Sequence, residues 1–79
     1  MWQPLTTTNQ LNQGSRLRQT LLDGNFRHKT IYTVTRVGKF YFMAQTIEQD
    51  GRPIPNNQQT ATPYRTNGVP YYGFEIWTD

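Results

Sequence analysis

Side chains that could perform acid–base catalysis are few in this sequence. The chain contains five carboxylate residues and one histidine, and general acid–base catalysis needs such a group held close to a partner. Glu48 and Asp50 fall at a turn signal, and His28 lies between Arg27 and Lys29, where we expect a solvated strand-entry position. No glycine-rich phosphate loop, nucleophile elbow or metal-ligand spacing occurs. We therefore predict that the protein is not an enzyme and uses no cofactor or metal.

Arginine and tyrosine supply the stronger chemical pattern. Arg36 is expected to lie opposite Tyr41 across a turn, with Tyr32 and Gln45 further along the same face. A sheet face that interleaves arginine with tyrosine is the kind of surface on which single-stranded nucleic acid stacks. The same residue types dominate the strongest contacts of protein interfaces. The candidate binding residues are Arg16, Arg18, Tyr32, Arg36, Tyr41, Gln45, Tyr64 and Arg65.

Three binding functions are consistent with this pattern. We favour a protein-binding inhibitor or accessory factor that blocks a larger host complex sterically, because the arginines are scattered and the net charge is only +3. Chains of this size are common among the accessory proteins of phages and mobile elements. The alternative is a nucleic-acid-binding barrel, and a small-ligand binder is the remote alternative. A structural role for Arg36 and Tyr41 also stays open, since cross-strand pairs stabilise sheets by about 0.2–1 kcal/mol.

A hairpin over residues 29–48 must position most of these side chains. Two runs rich in β-branched and aromatic residues flank Gly38-Lys39, which predicts a two-residue type II′ turn and a pairing of Arg36 with Tyr41. Because side chains alternate along a strand, this pairing defines two faces. One carries Ile31, Thr33, Thr35, Val37, Phe40, Phe42 and Ala44, and the other carries Tyr32, Val34, Arg36, Tyr41, Met43 and Gln45. The sequence leaves open which of these faces is buried.

Other segments predict further short strands. Residues 15–22 alternate as a strand or form a two-turn helix, and we favour the strand. Residues 70–79 predict a closing strand. Residues 1–13 predict an edge strand or a frayed terminus, and residues 50–69 predict a long exposed loop. Evenly spaced turn glycines then favour one all-β domain, a small SH3-like or OB-like barrel of about five antiparallel strands.

The composition indicates a cellular setting. The chain has 79 residues and no cysteine, whereas secreted domains this small usually carry disulfides. Its first residues lack the basic start and apolar run of a signal peptide. No stretch approaches the roughly 20 apolar residues that span a bilayer. We therefore expect a cytoplasmic protein that does not enter membranes and exists as a monomer or homodimer.

Overall fold

The computed structural model describes all 79 residues, Met1–Asp79, and its fold is all-β, as predicted. Seven strands form one antiparallel sheet. Their bounds are β1 (Trp2–Pro4), β2 (Arg16–Asp23), β3 (Phe26–Val37), β4 (Tyr41–Gln49), β5 (Arg52–Pro53), β6 (Ala61–Arg65) and β7 (Phe74–Trp77). Three short 3-10 segments, Thr8–Gln10, Asn56–Gln58 and Thr66–Tyr71, lie between strands.

The sheet is not closed, which corrects the expected barrel of about five strands. The strand order is β1-β7-β2-β3-β4-β5, and β6 also pairs with β4. The two end strands do not pair with each other, and both are short: β1 ends at Pro4, and β5 contains only Arg52 and Pro53. Proline cannot donate a ladder hydrogen bond, which confines it to the edges of sheets. Short edge strands that contain proline also discourage pairing between molecules.

The β3–β4 hairpin forms as expected, but its turn is not the type II′ turn. That turn needs a positive φ at Gly38, and Gly38 does not have one. The backbone N–H of Gly38 instead donates to the carbonyl oxygen of Tyr41 at 2.8 Å, and Val37 pairs with Phe42. A Cβ at Gly38 would stand 2.9 Å from the same oxygen. Glycine is therefore required here by the close approach of backbone atoms.

Two β-bulges determine how β3 and β4 face one another. The register shifts beside Ile31 and again between Val34 and Arg36. Val34 consequently pairs with Ala44. The expected pairing of Arg36 with Tyr41 is also wrong, because the turn is longer than two residues and Arg36 pairs with Met43. A one-residue slip in register moves the side chains of one strand to the opposite face. The two expected faces therefore exchange members in the folded protein.

The folded sheet has one buried face and one solvated face. The buried face, here called the inner face, carries Leu17, Thr30, Tyr32, Val34, Phe42, Ala44, Tyr64, Phe74 and Ile76. The opposite face, here called the outer face, carries Arg16, Arg18, Ile31, Thr33, Arg36, Tyr41, Met43, Gln45, Arg65, Glu75 and Trp77. Side chains directly opposite each other in paired strands share a face. The strand pairings therefore determine the face on which each of these residues lies.

One cluster of ten buried apolar residues packs against the inner face. Leu5, Leu11 and Val69 come from segments between the strands and cover it. Aromatic rings fill the centre: the ring of Phe42 stacks on Tyr64 with centroids 5.5 Å apart. Such ring pairs add about 0.5–1.5 kcal/mol beyond the area that they bury. A few large rings thus form a core in a sequence that is polar on average.

β2 confirms that residues 15–22 form a strand and not a helix.

The two other tight turns match their sequence signals. Gly24 has a positive φ of 61° and Asn25 does not, which is the pattern of a type II′ turn. Asp50 and Gly51 have φ values of 52° and 81°, as a two-residue type I′ turn requires.

The range 50–69 contains more regular structure than expected, while the N-terminal segment takes the edge-strand alternative and the C-terminal strand is shorter than predicted. Residues 1–13 include the edge strand β1, which pairs with β7. The range 50–69 includes β5 and β6; most of its side chains are exposed, but Val69 is buried and Tyr64 is half-buried. The closing strand over residues 70–79 is shortened to β7, because a 3-10 segment extends to Tyr71.

Asp50 fixes the base of a projecting hairpin. From Thr20 to Lys29, β2 and β3 pair only with each other. At the base of this hairpin, the Asp50 Oδ1 accepts a hydrogen bond from the backbone N–H of Lys29 at 2.9 Å. Its Oδ2 lies 3.1 Å from His28 Nδ1. Both hydrogen bonds lower the pKa of Asp50 below its usual range, and the bond with His28 has the larger effect.

Two leucines of the same strand provide a matched test of the inner face. Leu17 is 0% exposed and Leu22 is 74% exposed. We expect Leu17→Ala to lower the free energy of unfolding by about 2–5 kcal/mol, because it leaves a cavity in the core. Leu22→Ala should change it by less than about 0.5 kcal/mol. Urea denaturation followed by circular dichroism measures both values, and equal losses would contradict the assignment of the inner face.

Asp50→Asn tests the contacts at the base of the projecting hairpin. A carboxylate whose pKa is lowered on folding stabilises the protein above its unfolded pKa of about 3.9, and this stability is lost as the pH falls through the folded pKa. We therefore expect urea denaturation to show the variant less stable than the wild type near pH 6, with a smaller deficit near about pH 3, where the unfolded carboxylate takes up protons. Asp23→Asn, at the exposed hairpin tip, is the control. A deficit for Asp50→Asn that is the same at both pH values would contradict the electrostatic role of Asp50.

Candidate functional site

Six of the eight predicted binding residues lie together on the outer face. They come from four strands, β2, β3, β4 and β6, and are Arg16, Arg18, Arg36, Tyr41, Gln45 and Arg65. Arg16 pairs with Thr33, which pairs in turn with Gln45, so these three side chains form one row across the sheet. Tyr41 pairs with Arg65. The ladder therefore assembles one surface from residues that are far apart in the sequence.

The other two candidates, Tyr32 and Tyr64, lie on the inner face. Tyr32 is buried, and its hydroxyl donates to the Oε1 of Gln19 at 2.9 Å. Tyr64 is half-buried against Phe42. Burial above all, together with the neighbouring tyrosines, raises the pKa of Tyr64 well above its ordinary range. The expectation that Tyr32 shares a face with Arg36 is wrong, because the bulge between them reverses the alternation of β3.

Arg18 is engaged at one edge of the outer face. Its Nε and Nη2 donate to a single oxygen of Glu75, at 3.0 and 2.8 Å. Its guanidinium carbon lies 4.6 Å from the centroid of the Trp2 ring, and Trp2 meets Trp77 edge to face at 5.4 Å. This arrangement joins β1, β7 and β2. The charge of Arg18 is neutralised by Glu75, so Arg18 contributes to the outer face as part of a packed cluster.

Gln45 is also held by the protein itself. Its Nε2 donates to the Oε1 of Gln59 at 3.0 Å, and the Nε2 of Gln59 donates to the carbonyl oxygen of Ile54 at 2.8 Å. The chain of bonds ties β4 to the segment between β5 and β6. We therefore assign Gln45 mainly to the support of the outer face.

The exposed cations and rings concentrate at the end of the β3–β4 hairpin. We define the hairpin-end surface by Arg36, Lys39, Phe40, Tyr41 and Arg65. The Nζ of Lys39 lies 5.5 Å from the centroid of the Phe40 ring. Phe40 and Tyr41 lie between two open hollows, of about 280 Å³ on the side of Arg36 and about 540 Å³ on the side of Arg65. The arrangement presents two rings flanked by three cations.

Lys39 and Phe40 were not among the residues predicted from the sequence. The expected turn placed Lys39 at its tip and Phe40 on the face of Phe42. In the structure Phe42 is buried, while Phe40 is 68% exposed. Phe40 is exposed because the turn at Gly38 has a different geometry from the expected one. The sequence pair Gly38-Lys39 does not reveal that geometry.

No group of three or more His, Cys, Asp or Glu side chains is placed to hold a metal ion. The helical segments are 3-10 segments of three to six residues, and none has the length and apolar character needed to cross a lipid bilayer. Comparisons with models of protein families, with curated proteins and with solved structures found no significant match. The function must therefore be argued from the surface of this chain alone.

Proposed function

We propose that this protein is a small non-enzymatic binding module that attaches through its outer face to a larger protein complex. Steric blockage needs no chemistry at the contact, so inhibition of that complex or an accessory role in it follows from occupancy alone. The observation that carries the proposal is that four exposed binding-type residues from four strands, Arg16, Arg36, Tyr41 and Arg65, share one solvated face.

The residue types of the outer face suit protein recognition. Arginine, tyrosine and tryptophan are enriched among the residues that contribute most to binding energy in interfaces. Tyr41 is 50% exposed and Trp77 is 47% exposed, so both rings are accessible to a partner. A standard interface buries about 800 Å² on each partner, roughly a seventh of the 5749 Å² that this chain exposes. One face of a domain this size is sufficient for such a contact.

Single-stranded nucleic acid is the second candidate partner. The observation that favours it is the hairpin-end surface, where two exposed rings lie among three cations. Bases stack on aromatic rings with about 1–3 kcal/mol each, while cations neutralise the phosphates. With so few cations the affinity would be weak and would depend on salt. We rank this candidate below protein binding for that reason.

Affinity capture from cell lysate, with and without nuclease, tests the proposal. We expect the tagged wild type to retain a defined protein partner after nuclease treatment. Arg16→Glu combined with Arg36→Glu should reduce recovery about tenfold or more, because like charges facing each other across an interface cost several kcal/mol. The control combines Arg27→Glu, at the far end of β3 in the projecting hairpin, with Arg52→Glu in β5, and it gives the same net charge.

The outcomes of this capture separate the two candidates. A partner lost after nuclease treatment would favour nucleic acid. Equal loss of partner recovery in the outer-face variant and in the control would show charge-driven adsorption. That result would contradict the proposal that the outer face binds the partner. Circular dichroism spectra of both variants establish that the fold is intact, and the substituted side chains are all exposed.

A further inference from the structure

The hairpin-end surface is held rigidly from two sides. The backbone N–H of Thr66 donates to the carbonyl oxygen of Phe40 at 2.9 Å, and its hydroxyl donates to the carbonyl oxygen of Lys39 at 2.9 Å. The bond from Gly38 to Tyr41 closes the loop from the other side. A surface that is already ordered loses little conformational entropy when it binds. This loop therefore has the properties of a preformed anchor point.

The cations of this surface have no anionic partner within the protein. The structure contains two side-chain ion pairs, Arg18–Glu75 and His28–Asp50, and both lie elsewhere. No Asp or Glu lines either of the two hollows. Three of the eight Lys and Arg residues of the chain are thus gathered at one hairpin end without a carboxylate. The electrostatic complement of this surface is a group of negative charges on a partner.

Apolar groups lie among these cations. Phe40 is 68% exposed and Tyr41 is 50% exposed, although burying a ring of this size is among the larger gains available to a fold. Met43 lines the smaller hollow beside them. A partner that covers this surface must therefore offer apolar side chains as well as anions.

We propose that the hairpin-end surface anchors an acidic segment of the protein partner, a proposal that rests on the protein-binding function above. The carboxylates of the segment pair with Arg36 and Arg65, one on each side of the rings. An apolar side chain of the segment packs against Phe40 and Tyr41. The planar guanidinium of arginine binds a carboxylate through two parallel hydrogen bonds, which fixes the orientation of the segment as well as its affinity.

Single-stranded nucleic acid fits this surface less well. Three cations predict a slope of only about −2 for log K against log salt on a single strand, and this electrostatic term supplies most of the affinity of non-specific binding. The thioether of Met43 offers only a weak acceptor to the polar edge of a base, yet this side chain adds contact area for an apolar side chain. An acidic and apolar peptide uses the charges and the rings at once.

Fluorescence anisotropy with defined probes tests the proposal on the full chain. The main probe is a labelled peptide in which glutamate alternates with leucine and phenylalanine. A second peptide replaces each glutamate with glutamine, and an oligothymidylate of the same length is the nucleic-acid probe. The test variant combines Arg36→Gln with Arg65→Gln. The matched control combines Arg27→Gln with Arg52→Gln, which removes the same charge from exposed positions elsewhere.

We expect the acidic peptide to bind the wild type and the control variant within about twofold of each other. The test variant should bind it at least about tenfold more weakly, which corresponds to about 1.4 kcal/mol. Phe40→Ser should weaken binding by a similar factor, and the glutamine peptide should bind weakly to every form. These results together would support an acidic segment that also has an apolar anchor.

Other results would overturn the proposal. These are no binding of the acidic peptide, equal binding by the test and control variants, or tighter binding of oligothymidylate than of the peptide. Failure here is distinguishable from failure of the proposed function. If lysate capture of the nuclease-resistant partner is lost in Arg16→Glu with Arg36→Glu but persists in Arg36→Gln with Arg65→Gln, the outer face binds protein and the acidic segment is contradicted.

Discussion

The pairing of β3 with β4 constrains the rest of this structure. Side chains along a strand alternate between faces, and an extra residue in one strand reverses that alternation from that point onward. On β3 the buried positions are Thr30, Tyr32 and Val34. Unbroken alternation would continue to Arg36 and bury its guanidinium against the core. The bulge before Arg36 turns this side chain to the solvated face, so the same irregularity protects the core and gives the outer face a charge.

The core and the outer face are therefore two consequences of one register. Val34 opposite Ala44 brings Phe42 onto the inner face, where it meets Tyr64 and Phe74. The same register leaves Tyr41 beside Arg65 on the other side. Gly38 permits this register, because any side chain at that position would collide with the carbonyl oxygen of Tyr41. The packing of the core and the composition of the outer face consequently depend on the same few backbone contacts.

The sequence predicts the parts of this fold that local chemistry controls. Asp50-Gly51 is a strong signal for a type I′ turn, and it forms one. Alternation identified β2, and β-branched and aromatic runs identified the β3–β4 hairpin. The bulges could not be predicted, since they have no strong residue signature and arise from packing across the whole sheet. Pairings between distant strands, such as β4 with β6, depend on tertiary contacts that a single sequence does not reveal. The unpredicted bulge explains why the sequence places Tyr32 on one face with Arg36, and the unpredicted turn at Gly38 explains why it places Phe40 on the face of Phe42.

Nuclear Overhauser effects between the backbones of β3 and β4 test the central claim most directly. The structure predicts cross-strand effects that join Val34 to Ala44 and Arg36 to Met43. Effects that join Arg36 to Tyr41 and Tyr32 to Gln45 would instead indicate a two-residue turn followed by an unbroken register without bulges. That result would move Tyr32 to the solvated side and remove the basis for the surface described above.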